Sequence, residues 1–111
     1  MSIYKGIPER TKEGGFKVYK DDKPLNPAYS QKIINHSPDG FAWGYGGSGP
    51  SQLALSLLLE ETNKNIALQL YQPFKWSIVS GFEIDRPWEL TSVDIRLWLF
   101  RHGVEPEGIL C

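Results

Sequence analysis

The segment of this sequence best suited to chemistry is a glycine-rich turn. It runs from Gly44 to Pro50 as Gly-Tyr-Gly-Gly-Ser-Gly-Pro, after a predicted strand and before a predicted helix. Free backbone N–H groups in such a turn, with the partial positive charge of a helix N-terminus, suit a phosphate, a carboxylate or another anion. The candidate ligand-binding residues are His36, Trp43, Tyr45, Gly46, Gly47, Ser48, Gly49 and Ser51.

Each side chain of this candidate site has a possible role. Ser48 and Ser51 could donate from their hydroxyls, while Trp43 and Tyr45 could stack on a base or cover the ligand. His36 could lie across the turn if the following strand folds back. In the competing interpretation, the glycines only permit positive φ and a close approach of strand and helix, and Ser48 is a simple N-cap.

Three named glycine motifs fit the turn only superficially. Gly44, Gly46 and Gly49 match G-x-G-x-x-G, but no acidic residue follows about 20 positions later at a strand end. Pro50 occupies the place of the lysine in a phosphate loop and of the last glycine in a nucleophile elbow. None of these motifs therefore assigns a function.

A catalytic alternative uses His36 as a base and Ser48 as a nucleophile, with Asp39 as the orienting acid and glycine amides as an oxyanion hole. It would make the protein a small hydrolase or transferase. A metal site would have only His36, His102 and scattered carboxylates to draw on, without ligand spacing. We therefore predict no metal and no cofactor.

A longer block around the turn resembles a known family. It runs from Asn35 to Pro50, continues as Gln-Leu-Ala-Leu at 52–55, and is accompanied by Pro24-Leu25 and by Tyr-Gln-Pro-Phe-Lys at 71–75. These features are similar to an uncharacterised family of small bacterial and phage proteins, a domain of unknown function with the motif HSPxGFxWGYGGSGPxQLAL. The resemblance covers most of residues 16–100 and implies no activity. It does imply a bacterial or phage setting, in which small counter-defence inhibitors that act by protein contact are common.

Composition narrows the class of protein. The chain has 111 residues and a net charge of −1, which argues against a nucleic-acid-coating protein. Its one cysteine, Cys111, excludes an internal disulfide framework. Neither a signal peptide nor an apolar run of about 18 residues is evident, so we expect a cytoplasmic protein without membrane association. The length predicts one domain, 1–111, with a flexible tail at 104–111.

Hydrophobic periodicity predicts an α+β fold with a small, mainly antiparallel sheet. Its helices are a central Leu-rich helix from about Pro50, a short second helix ended by Pro73, and a C-terminal helix from Thr91 to His102. The predicted strands are short and lie at 3–7, 16–19, 32–34, 41–43 and 74–82. With this fold we expect a non-enzymatic binding module, the anion being a nucleotide or a phosphorylated small molecule.

The C-terminal helix has two apolar stripes. The first contains Ile95, Trp98, Leu99 and His102, and the second contains Val93, Leu97 and Phe100. One sheet face needs only one stripe. The second stripe is therefore a candidate interface, either for a homodimer or for a protein partner.

Overall fold

The computed structural model describes residues 1–110 and contains a four-stranded antiparallel sheet in the order β3-β2-β1-β4. The strands are β1 (Ile3–Arg10), β2 (Phe16–Lys20), β3 (Lys23–Pro24) and β4 (Trp88–Thr91). One face of β1 and β2 is buried through Tyr4, Gly6, Phe16 and Val18, as period-2 alternation requires. The predicted α+β class with a small antiparallel sheet is confirmed.

Four helices complete the described chain. They are α1 (Ala28–Ile33), α2 (Ser48–Glu61), α3 (Lys64–Ser77) and α4 (Ser92–Arg101). Helix α2 is the centre of the molecule and contacts all the other helices. Leucines at 53, 55, 57 and 58 are all completely buried, so α2 is covered on most of its circumference, as its wide apolar stripe predicts.

Three predicted strands are wrong. In residues 41–43 only Phe41 pairs, through an isolated bridge to Phe16, and no strand forms. Residues 32–34 lie at the end of α1, and the segment from Phe74 belongs to α3, which continues through Pro73 to Ser77. Pro73 is exposed, and α3 is held against α2 by Ala67, Tyr71 and Phe74, which are buried at helical spacing. This packing outweighs the local cost of the proline, so the predicted short second helix is as long as α2.

The bounds of the last helix match the sequence prediction closely, whereas its flanks do not. Thr91 and Asp94 form a reciprocal capping box at the start of α4. The segment 104–110, within the predicted tail, is hydrogen-bonded: the Leu110 N–H donates to the Glu61 carbonyl at 2.9 Å. No helix within residues 1–110 has the length and apolar character needed to span a bilayer.

A buried polar network joins the sheet to α2 and α4. The Tyr4 hydroxyl donates to one Glu61 carboxylate oxygen, and the other accepts from Arg96 Nε at 2.9 Å. Burial, followed by the bond to Glu61, raises the pKa of the Tyr4 phenol far above its ordinary value of 10.0. Because all of these polar groups are paired, the network fixes how the elements meet.

Candidate functional site

Helix α2 begins at the glycine turn without help from any side chain. Gly47 is the N-cap residue and makes no side-chain cap hydrogen bond. Ser48 is already the first helical residue and is exposed, so it is not the predicted N-cap. Ser51 is buried, and its Oγ donates to the Gly47 carbonyl at 3.2 Å. No acidic residue lies in the first turn, so the N–H groups of Ser48 and Gly49 keep their partial positive charge.

The glycines of the turn are needed for two different reasons. Gly44 has φ +87°, the left-handed region that favours glycine, and its N–H donates to the Val79 carbonyl at 3.1 Å. Gly46 and Gly47 do not have positive φ, contrary to the conformational reason suggested by the sequence. Instead, side chains pack directly on their backbone, which leaves no room for a Cβ.

Three large exposed side chains lie on the glycines of this turn. Trp76 packs on Gly46, Tyr45 folds onto Gly47, and the backbone of Ile84 comes within 2.8 Å of where a Cβ on Gly44 would be. Trp76 is 62%, Ile84 56% and Tyr45 46% exposed. We call these three side chains, with Gly44, Gly46 and Gly47, the turn surface.

Lys75 supplies a positive charge behind the turn surface. The residue is 95% buried, its Nζ donates to the Gly46 carbonyl at 3.1 Å, and it lies 4.3 Å from the centroid of the Trp76 ring. None of the ion pairs found within residues 1–110 includes it. The contact with its ammonium group stabilises one orientation of the indole.

Trp43 lies in the interior. It is fully buried, its Nε1 donates to the Arg86 carbonyl at 3.0 Å, and its ring packs against Phe16 and Trp88. Trp43 is therefore not available to stack on an incoming ligand. Of the two aromatic residues named from the sequence, only Tyr45 reaches the surface.

His36 is held by side chains of α2 and α3 rather than by the glycine turn. Its Nε2 lies 2.7 Å from the Tyr71 hydroxyl, and its backbone N–H donates to Oε1 of the fully buried Gln52 at 2.8 Å. Among residues 1–110, the Ser48 side chain makes no hydrogen bond to His36 or to any other residue. A Ser48–His36 nucleophile pair is thus absent from the described chain. The same residues hold no cluster of three or more His, Cys, Asp or Glu side chains suited to a metal ion.

The second stripe of α4 faces solvent. Val93 and Leu97 are each 46% exposed and Phe100 is 45% exposed, whereas Ile95, Trp98 and Leu99 on the opposite face are buried. His102, predicted to pack in the first stripe, is exposed but stacks on Trp98 with 3.8 Å between ring centroids. The candidate interface residues are therefore brought together on one accessible face.

Sequence reasoning missed Lys75 and Trp76 because it assigned residues 74–82 to a strand, and it missed Ile84, which follows that segment. The signal that would have found Trp76 is the helical spacing of Ala67, Tyr71, Phe74 and Ile78, which places Trp76 on the opposite, outward face.

A second feature was also missed, a groove of about 440 Å³ between β2 and residues 24–41. Phe16 and Phe41 form part of its floor, and Gln31 on its wall donates to the Ser37 carbonyl at 2.8 Å. It shares no residue with the turn surface. Its lining includes Pro24, Leu25 and residues 38–41, which belong to the sequence features that resemble the family.

Comparison with known proteins identifies a family that the chain matches. Residues 4–101 match the model of a family described as a family of unknown function, DUF6166. This confirms the resemblance seen in the sequence. Neither the comparison with curated proteins nor that with solved structures found a match.

Proposed function

The chain belongs to the family of unknown function DUF6166, and we propose that it is a non-enzymatic binding module that contacts a protein segment through the turn surface. One observation carries the proposal. Residues 45, 76 and 84, whose apolar side chains are exposed, all lie against glycines of a single turn. Exposed tryptophan and tyrosine are the residue types that most often dominate the energy of protein interfaces.

The turn surface is also pre-organised. Trp76 contacts both the Gly46 backbone and the ammonium group of Lys75, and Lys75 is itself fixed by its bond to the Gly46 carbonyl. A side chain fixed before binding loses little conformational entropy when the complex forms. The glycines are what allow this arrangement, because any Cβ at 46 would push the indole away.

Two positive groups beside the turn surface favour a partner with a carboxylate. The N-terminus of α2 has no acid in its first turn, and the buried Lys75 adds a second positive centre. A complementary segment would therefore offer an apolar side chain to Trp76 and a carboxylate to the exposed start of α2 at Ser48. The role of a counter-defence inhibitor, suggested by the resemblance, would be one form of such contact and stays a prediction, as does the cytoplasmic location.

A displayed random-peptide library provides the test, since no partner has to be assumed. Peptides selected on the wild-type protein are measured by calorimetry against the wild type, Trp76→Ala and Tyr29→Ala. Tyr29 is the matched control, because it is an aromatic residue on α1 that is also 60% exposed.

We expect selected peptides to combine acidic and apolar residues and to lose at least about 30-fold in affinity with Trp76→Ala, as for an interface hot spot of 2 kcal/mol. Tyr29→Ala should bind like the wild type. Peptides that bind Trp76→Ala as tightly as the wild type would contradict the proposal.

A nucleotide or another anion is the second candidate ligand, favoured by the uncapped start of α2. Here Trp76 and Tyr45 would stack on the base, and the phosphate would lie at Ser48 and Gly49. A panel of nucleotides and phosphate esters should then raise the melting temperature of the wild type by mass action, and less so for Trp76→Ala. If no compound of the panel raised the melting temperature while the selected peptides bound as expected, a protein segment would remain the better proposal.

A further inference from the structure

Helix α4 is a short helix with apolar residues on both faces. Its inner face is buried against the core, while Val93, Leu97 and Phe100 form a stripe along its outer face. Their spacing of four and three residues aligns them along one side of the helix. We call this stripe the outer face of α4.

Within residues 1–110 no element covers this face. Helices α2 and α3 contact α4 on its inner side, where Glu61 pairs with Arg96 and Phe74 packs edge-on against Trp98. Each residue of the stripe remains nearly half exposed. Three adjacent large apolar side chains on a solvent face are characteristic of a contact surface.

The charges beside the stripe indicate what would cover it. Asp94 and Arg101 are seven residues apart and therefore share one flank of the outer face. Asp94 Oδ2 accepts from the Thr91 N–H at 3.0 Å, and its other oxygen accepts no hydrogen bond within residues 1–110. In that part of the chain, the Arg101 guanidinium makes neither a hydrogen bond nor an ion pair.

We infer that the outer face of α4 binds a second copy of this chain through an antiparallel, twofold pairing of the two α4 helices. In that arrangement the same flanks meet, so Asp94 of each copy faces Arg101 of the other, and the two Leu97 side chains meet near the axis. A parallel twofold pairing would instead bring opposite flanks together, so Asp94 of one copy would not face Arg101 of the other. Antiparallel helix dipoles favour the same choice.

The size of the surface sets the strength of the pairing. A ten-residue helix is about 15 Å long. It offers much less than the roughly 800 Å² per partner of a standard stable interface. The dimer should therefore be weak, with a dissociation constant in the micromolar range or above, and should weaken further at high salt because its ion pairs are exposed.

Analytical ultracentrifugation of the full chain up to millimolar concentration tests the pairing. Leu97→Asp and Arg101→Glu should each weaken the dimer at least tenfold, while Arg86→Glu, the same charge change in an exposed loop, should not. The melting temperature of Leu97→Asp should be close to that of the wild type, because the Leu97 side chain is nearly half exposed. A wild type that stays monomeric at millimolar concentration would overturn the inference. So would a dimer whose dissociation constant neither Leu97→Asp nor Arg101→Glu changes.

A cysteine cross-link gives a second readout that does not depend on the stability of the Asp variant. In a Cys111→Ser background, which removes the only native cysteine, Leu97→Cys should form a disulfide-linked dimer under mild oxidation. Tyr29→Cys, exposed on α1, is the control and should not. Absence of the Leu97→Cys dimer at a concentration where the wild type associates would exclude the twofold arrangement.

Discussion

The side chain of Gln52 offers the sharpest test of how the site is built. It is completely buried, and its Oε1 accepts from the His36 and Ser37 N–H groups at 2.8 and 3.1 Å. Its Nε2 donates to Ser30 Oγ at 2.9 Å and to the Ile34 carbonyl at 3.1 Å. One side chain of α2 thus satisfies four groups of the segment that follows β3.

Replacement by leucine, Gln52→Leu, keeps the size of the side chain and removes all four bonds. An unsatisfied buried polar group costs about 1–3 kcal/mol. Ser30 retains its bond to the Pro27 carbonyl, and the loop N–H groups can regain water if the segment shifts. We therefore expect a loss of about 3 kcal/mol, or a fall in melting temperature of about 12 °C at roughly 4 °C per kcal/mol for a domain of this size.

Urea denaturation followed by circular dichroism measures this loss directly. Gln69→Leu is the matched control, since it makes the same chemical change at an exposed position of α3 and should stay within about 0.5 kcal/mol of the wild type. A Gln52→Leu protein that is within 1 kcal/mol of the wild type would refute the reasoning, because it would mean that these bonds contribute nothing net.

Gly44, Tyr4 and Ser48 provide further tests. Gly44→Ala should cost about 1–3 kcal/mol in thermal unfolding, because its φ is positive and the Ile84 backbone occupies the place of a Cβ; an unchanged melting temperature would contradict this. Tyr4 has a pKa raised in the folded state, so folding stability should be full below pH 10 and then fall by up to about 1.4 kcal/mol per pH unit as the unfolded phenol ionises. Tyr4→Phe should be less stable at neutral pH, since Glu61 loses a donor, and its stability should fall less steeply above pH 10 in alkaline titrations. Ser48→Ala should change the melting temperature by no more than about 2 °C, because its side chain caps nothing; a larger drop would restore it as a cap.

The fold was predictable wherever local patterns and tertiary packing agree. The alternation in β1 and β2, the leucines of α2 and the Thr91–Asp94 box each indicate one structure, and each is found. Around Pro73 they disagree, because the proline and an alternating stretch favour a break and a strand, while contact with α2 favours a helix.

The wrong prediction of a strand after Pro73 also affected the choice of candidate site residues. The glycine turn was recognised from its composition, yet the second aromatic side chain exposed on it is Trp76, not Trp43. Trp43 precedes the turn directly in sequence, but the direction of its side chain depends on the packing of Phe16 and Trp88, which are distant in the chain. Nothing local to residues 41–45 encodes this contact.

The four tryptophans differ enough in exposure for the intrinsic fluorescence of the protein to report on binding. Trp43, Trp88 and Trp98 are at most 9% exposed, whereas Trp76 is 62% exposed. Acrylamide or iodide should therefore quench the emission of Trp76 selectively, and the three buried indoles should provide a constant background. Because Trp76 lies on the turn surface, a ligand bound there would shield it, and occupancy could be followed without a label.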